Sequence, residues 1–198
     1  MATDGHIMKL GRGSRWTLIV WGGAACLLLL PFIAMRFTSE VNWGAGDFLV
    51  MGIMLGMICG VVELVVRLSG SWAYRLGAIA AIGSAFLITW ANLAVGIVGS
   101  EDNPANQWFF GALLVGLVGA TIARFRARGM ALAMTAAAVA VGIAFVTAVS
   151  GATDEPNVSH WLELIATAII TSPFLVSALL FRWAAREQVG RDKKRRSA

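Results

Sequence analysis

Long apolar blocks separated by short polar segments run through the chain. Six can be drawn, at 16–35, 48–66, 76–98, 108–123, 130–149 and 161–181. About twenty residues at ~1.5 Å rise match the ~30 Å hydrocarbon core of a bilayer. The blocks are continuously apolar and lack the alternating pattern of outer-membrane strands. Only helices or closed barrels satisfy their backbone in lipid. The pattern therefore predicts an all-α fold, an integral membrane bundle of six transmembrane helices. The helices would occupy 16–181, between basic tails at 1–15 and 182–198, and no connection is long enough to fold as a soluble domain.

Composition agrees with the pattern. Of 198 residues, 58% are hydrophobic and 14% charged, with a mean hydropathy of +0.75. A soluble enzyme, a nucleic-acid-binding module and a disordered tail are excluded by that balance. Charge adds the orientation. With both termini cytoplasmic, all 16 Lys and Arg residues except Arg36 fall on the inner side. Glu40, Asp47, Glu101, Asp102, Asp154, Glu155 and Glu163 fall at the outer one. This asymmetry follows the positive-inside rule. Trp16, Trp72 and Trp183 at inner span ends, and Trp43, Trp108 and Trp161 at outer ones, form the expected aromatic belts. A bacterial inner membrane is the expected location. The bilayer itself is the first partner, and the basic tails would attract anionic lipid headgroups rather than nucleic acid.

The first block follows a basic stretch, but no small-x-small cleavage site comes after it, so it reads as an uncleaved helix. Cys26 and Cys59 lie mid-span as packing residues and predict no disulfide. Three outer loops share an acidic character, with Pro104 before Trp108 and Pro156 before Trp161, which suggests three hairpin repeats. Small residues recur four apart at Gly52, Gly56 and Gly60, at Gly77, Ala81 and Ala85, and at Ala112, Gly116 and Ala120. Such stripes allow close helix packing, here expected within the chain, with a homo-oligomer or a membrane-protein partner as the alternative.

Polar groups inside the spans carry the candidate chemistry. Glu63 lies two turns from Gly56, near the inner boundary, with Arg67 four residues on. It reads either as a Glu63–Arg67 pair or as a cation- or proton-binding carboxylate. Glu163, Thr167 and Thr171 form a seam at i+4 spacing that leads to Ser172-Pro173, where the proline frees the carbonyl of Ile169. Ser84, Thr89, Trp90 and Asn92 make the third span the most polar. Asn92 would bridge helices or ligate a solute, and Trp90 would pack within the bundle. Glu101, Asp102, Asn103 and Asn106 crowd one outer loop. They read either as an oxygen-rich anionic vestibule or as helix caps under a solvated rim. The spacing of a calcium loop is missing, so no metal site is predicted.

The stretch Asn92-Leu93-Ala94-Val95-Gly96-Ile97-Val98-Gly99-Ser100-Glu101-Asp102-Asn103-Pro104-Ala105-Asn106, with Tyr74-Arg75 before it and Ala123-Arg124-Phe125-Arg126 after it, carries a resemblance. It resembles small uncharacterised polytopic inner-membrane proteins of proteobacteria over roughly Asp47 to Val149. The resemblance implies a bacterial inner-membrane context and no activity. Enzyme motifs and paired His or Cys ligands are missing, so neither catalysis nor a cofactor is expected. The residues point to a small transporter or channel-like protein for a cation or small polar solute. The alternative is a non-catalytic scaffold or accessory subunit that binds partner helices.

Overall fold

The structure is a computed structural model that describes residues 12–99, 102–151 and 160–197. The described residues form six helices: α1 (Arg12–Ala34), α2 (Ala45–Leu68), α3 (Trp72–Ala94), α4 (Gln107–Ile122), α5 (Ala127–Gly151) and α6 (His160–Arg196). A single 3-10 turn, Pro104–Asn106, precedes α4, and no strand occurs among the described residues. Six stretches are long and apolar enough to cross a membrane, one in each helix, the fourth counting the 3-10 turn together with α4. The all-α, six-span expectation holds.

Helix ends follow local chemistry. Asp47 accepts the Gly44 N–H at 2.8 Å and caps α2. Ser71, in an extended conformation, accepts the Tyr74 N–H and starts α3. The third span therefore begins four residues earlier than the apolar block suggested. It also ends earlier, at Ala94, because Gly96 turns the chain with φ of 74°. Past its expected end α6 continues as helix through 182–196, so the described part of the basic tail is helical.

The chain divides into two compact units, 1–68 and 69–198. The first contains the α1/α2 hairpin. Met51, Leu55, Cys59 and Val62 supply the buried side chains of α2. Phe32 meets Phe48 edge-to-face with ring centroids 6.4 Å apart. Gly52, Gly56 and Gly60 were expected to pack tightly, yet a Cβ at any of them would meet nothing within 4 Å. The buried stripe of α2 is the larger-residue one beside them.

In the second unit α4 packs on α5, α5 on α6 and α6 on α3, while α3 and α4 barely touch. This corrects the three-hairpin repeat as a packing unit, because α3 and α4, though consecutive, do not pair. Shape complementarity explains the choice. A Cβ at Gly119 would lie 2.9 Å from Ala133 Cβ, and one at Gly116 would lie 3.1 Å from Ala137 Cβ. The backbones of α4 and α5 can approach only because those side chains are so small. Alanines 131, 133, 137, 138, 144 and 148 are buried on α5, which lies between two neighbours. Arg124 and Phe125 take left-handed conformations in the α4–α5 turn, with φ of 49° and 56°. The Tyr74 hydroxyl donates to the Phe125 carbonyl at 2.7 Å and ties α3 to that turn. At the same end Tyr74 and Phe181 meet edge-to-face at 4.9 Å, as do Trp72 and Trp183 at 5.6 Å.

Candidate functional site

Cross-helix hydroxyls set the register of α3 on α6. Ser177 Oγ donates to the Gly77 carbonyl at 2.7 Å, and Ser84 Oγ donates to the Ile170 carbonyl. The partners are seven residues apart on each helix and run in opposite directions. Two more turns of the same register bring Asn92 almost level with Glu163. Around Pro173 the helix carbonyls are taken up by hydroxyls. Ser172 Oγ donates to Ile169 at 2.9 Å, the carbonyl freed by the proline, and Thr171 Oγ1 donates to Thr167 at 2.6 Å. No polar guest is needed at the kink.

One turn closer to the 95–103 loop the accounting changes. Asn92 and Thr167 are each 5% exposed. Asn92 Nδ2 donates to the Ile88 carbonyl at 3.0 Å. Its Oδ1, like Thr167 Oγ1, is buried without a hydrogen-bond partner. Exchanging the two amide atoms would set oxygen against the Ile88 carbonyl, so the oxygen must be the unpartnered atom. By register, the amide reaching back to Ile88 lies within about one helical turn of the depth of Thr167. Glu163, one turn beyond Thr167 on α6, accepts the Gly99 N–H at 2.6 Å and holds the loop to the helix.

The loop itself is organised by its asparagines. Asn106 is buried; its Oδ1 accepts the N–H groups of Ile97 and Val98 at 3.1 and 3.0 Å, and its Nδ2 donates to the Val98 carbonyl. Asn103 Oδ1 caps Ala105, and its Nδ2 also reaches the Val98 carbonyl. Both amides thus shape backbone and supply no oxygen cage. Asp102 is exposed. Glu101 lies outside the described residues, as do Asp154, Glu155 and Asn157. Among the described residues no three His, Cys, Asp or Glu side chains converge as metal ligands.

Glu63 sits in the α1/α2 hairpin. Thr17 Oγ1 donates to its Oε1 at 2.9 Å, Trp21 Nε1 to its Oε2 at 3.3 Å, and Arg67 pairs with it at 2.5 Å. A small cleft lined by Trp16, Val20, Val62 and Val66 adjoins this cluster. The pair expected from i+4 spacing is present. The contacts from α1 were not legible in the sequence, because spacing reports only neighbours on one helix. Trp90 does not pack inside; it is 39% exposed and stacks on Phe86 at 6.4 Å. Of the two serines that bind the helices together, Ser84 stands out in the sequence only as part of the polar third span, and Ser177 carries no stronger signal than any other serine in an apolar block.

The chain is a multi-pass membrane protein by the length and apolarity of its six helices. No family model, curated protein or solved structure matches it. Its role must therefore come from the residues themselves.

Proposed function

We propose that the protein is a small transporter or channel-like protein of a bacterial inner membrane, moving a cation or small polar solute. One observation carries this reading: Asn92 Oδ1 and Thr167 Oγ1 are buried on adjoining helices without partners. An unmet polar atom in a span costs more than in a soluble core, since hydrocarbon offers no water. Sequences free of a polar task fill such positions with apolar residues. The candidate route is thereby narrowed to the α3/α6 interface, with exposed Asp102 attracting cations nearby and Glu163 at its margin. Asn103, Asn106 and Thr171 act as supports of that interface and its loop, and Glu63 as a clamp of the α1/α2 hairpin. The basic segments hold the chain to anionic headgroups, and no catalytic step is assigned.

Proteoliposomes test the reading, with labelled sodium and rubidium and an osmotic panel of small neutral polar solutes as probes. The chain should accelerate at least one flux, and Asn92→Ala combined with Thr167→Val should reduce it tenfold or more. Flux indistinguishable from empty vesicles for every probe would overturn the proposal, as would full activity in the double variant.

A second reading has its own observation. The Gly52, Gly56 and Gly60 stripe leaves open space beside α2, the form of surface on which another transmembrane helix packs. A scaffold or accessory subunit would retain a stoichiometric membrane partner in mild detergent and lose it in Gly56→Leu.

A further inference from the structure

We infer that Asn92 Oδ1 and Thr167 Oγ1 together bind the hydroxyl group of a small neutral alcohol or polyol. The inference deepens the transport reading and rests on it, adding the chemical class of the solute. Thr167 stands apart from five other threonines of the spans. Thr89, Thr121, Thr135, Thr147 and Thr171 each donate to a carbonyl three or four residues back. A threonine hydroxyl in a helix commonly rests in that bond. Thr167 makes no such bond, so its proton and lone pairs are all available.

Helical geometry turns the two orphaned atoms toward one another. Ser84 and Ser177 mark the lines along which α3 and α6 face each other. Asn92 follows Ser84 by eight residues, and Thr167 precedes Ser177 by ten. At about 100° per residue, both are rotated roughly 80° from those lines, in the same sense about their own helix axes. Because the helices run antiparallel, equal rotations of one sense point to the same side of the interface. Along the axes the register leaves about five residues, or ~7.5 Å, between the two Cα levels. Side chains lean toward the N-terminus of their own helix, so Asn92 and Thr167 close that gap from both ends. The Asn92 bond to the Ile88 carbonyl fixes the first of these directions.

The needs of the two atoms select the guest. Asn92 Oδ1 only accepts, so the guest must donate. The Thr167 hydroxyl carries a proton without an acceptor, so the guest must also accept. A metal ion or an ammonium group fails the second requirement, since either leaves that proton unmet in a medium without water. Neither atom supplies the counter-charge that a buried ion requires. Water meets both requirements but brings a second proton, and buried waters make about three hydrogen bonds. An alcohol hydroxyl donates once, accepts once and continues as carbon. The register sets the fully buried side chain of Ile88 near the Thr167 level, an apolar wall for that carbon.

Nuclear magnetic resonance of the full chain tests the site, with labelled asparagine nitrogen and phosphocholine micelles, whose detergent has no hydroxyl. The Asn92 side-chain amide signal is identified by its loss in Asn92→Ala. Glycerol is titrated against its trimethyl ether, which accepts hydrogen bonds and donates none. The signal should shift and saturate with glycerol and stay in place with the ether. Thr167→Val and Thr167→Ala should each raise the half-saturating glycerol concentration at least tenfold, while Thr167→Ser should change it by less than about threefold. Unmoved Asn103 and Asn106 signals in these variants report an intact fold. The absence of a saturable glycerol shift would overturn the site, as would an equal response to the ether or half-saturation unchanged in both apolar variants. A water contact at Asn92 that survives saturating glycerol would overturn it in favour of a fixed water. A shift with sodium chloride and none with glycerol would overturn it in favour of an ion. Glycerol flux without a saturable shift would defeat this inference and leave the transport proposal intact; a saturable shift without flux of any probe would do the reverse.

Discussion

The α1/α2 hairpin and the four helices after it are built from the same kinds of residue and solve packing in opposite ways. In the hairpin a charged group is fully engaged, Glu63 by Thr17, Trp21 and Arg67, while the glycines of α2 face open space. In 69–197 glycines at the helix contacts are closed against neighbours, Gly119 on Ala133 and Gly77 on Phe181, while two buried polar atoms remain unmet. A small-xxx-small stripe is therefore permission for close approach, and a partner of matching shape decides whether it is used. A polar residue in a span likewise needs a partner on another helix before its role can be assigned.

Substitutions can break this contrast. The largest effect is expected at Gly119. A valine there would drive its branch into the Cα and Cβ of Ala133, 3.2 and 2.9 Å from the first added carbon. Overpacking against backbone should cost about 3 kcal/mol or more. Gly56→Ala, by contrast, meets nothing within 4 Å and should be neutral or stabilising by up to ~1 kcal/mol through helix propensity. Reversible unfolding in mixed micelles would measure both. Equal losses at the two positions would erase the distinction between the units.

Asn106→Ala comes next. It strands the N–H groups of Ile97 and Val98 in a buried turn, and about 2 kcal/mol should be lost. Hydrogen exchange at Ile97 and Val98 should accelerate at the same time. Unchanged protection there would mean that the amide does not organise the loop.

Smaller effects should differ in sign along α3 and α6. Ser84→Ala removes a donor to Ile170 and should cost roughly 0.6 kcal/mol, the usual worth of an interhelical bond in a membrane. Thr167→Val removes an unmet hydroxyl and should stabilise the protein by a similar amount. A loss in both would show that Thr167 has a structural partner and would weaken the proposed route at the α3/α6 interface. For the hairpin, Thr17→Val and Glu63→Ala should be sub-additive in a double-mutant cycle, because both remove the same contact. Strict additivity would mean that the contact contributes nothing to the hairpin.

Several features of the candidate site were legible in order rather than in arrangement. The i+4 spacing gave the Glu63–Arg67 pair, because helical geometry makes those neighbours obligatory, whereas the same spacing in the Thr167–Thr171 seam ends in a Thr171 bond to the Thr167 carbonyl. Pro173 predicted a free carbonyl at Ile169, and Ser172 occupies it. The asparagines of the 95–106 loop looked equally suited to caging an ion and to capping. Only the fold, by burying Asn106 against Ile97 and Val98, committed them to the backbone.

The amino-acid sequence by itself determined that six helices cross a membrane. Hydrocarbon thickness, backbone satisfaction and the burial cost of charge act on each segment separately, so no knowledge of neighbours is required. The tertiary structure alone decided that α4 joins α5 instead of α3, that the glycines of α2 stay open while Gly116 and Gly119 of α4 close, and that Asn92 and Thr167 hold unmet oxygens in one interface. Those outcomes depend on which surfaces meet. In a lipid-embedded chain all helix surfaces are similarly apolar, and fine differences of shape and a few hydroxyls choose among them.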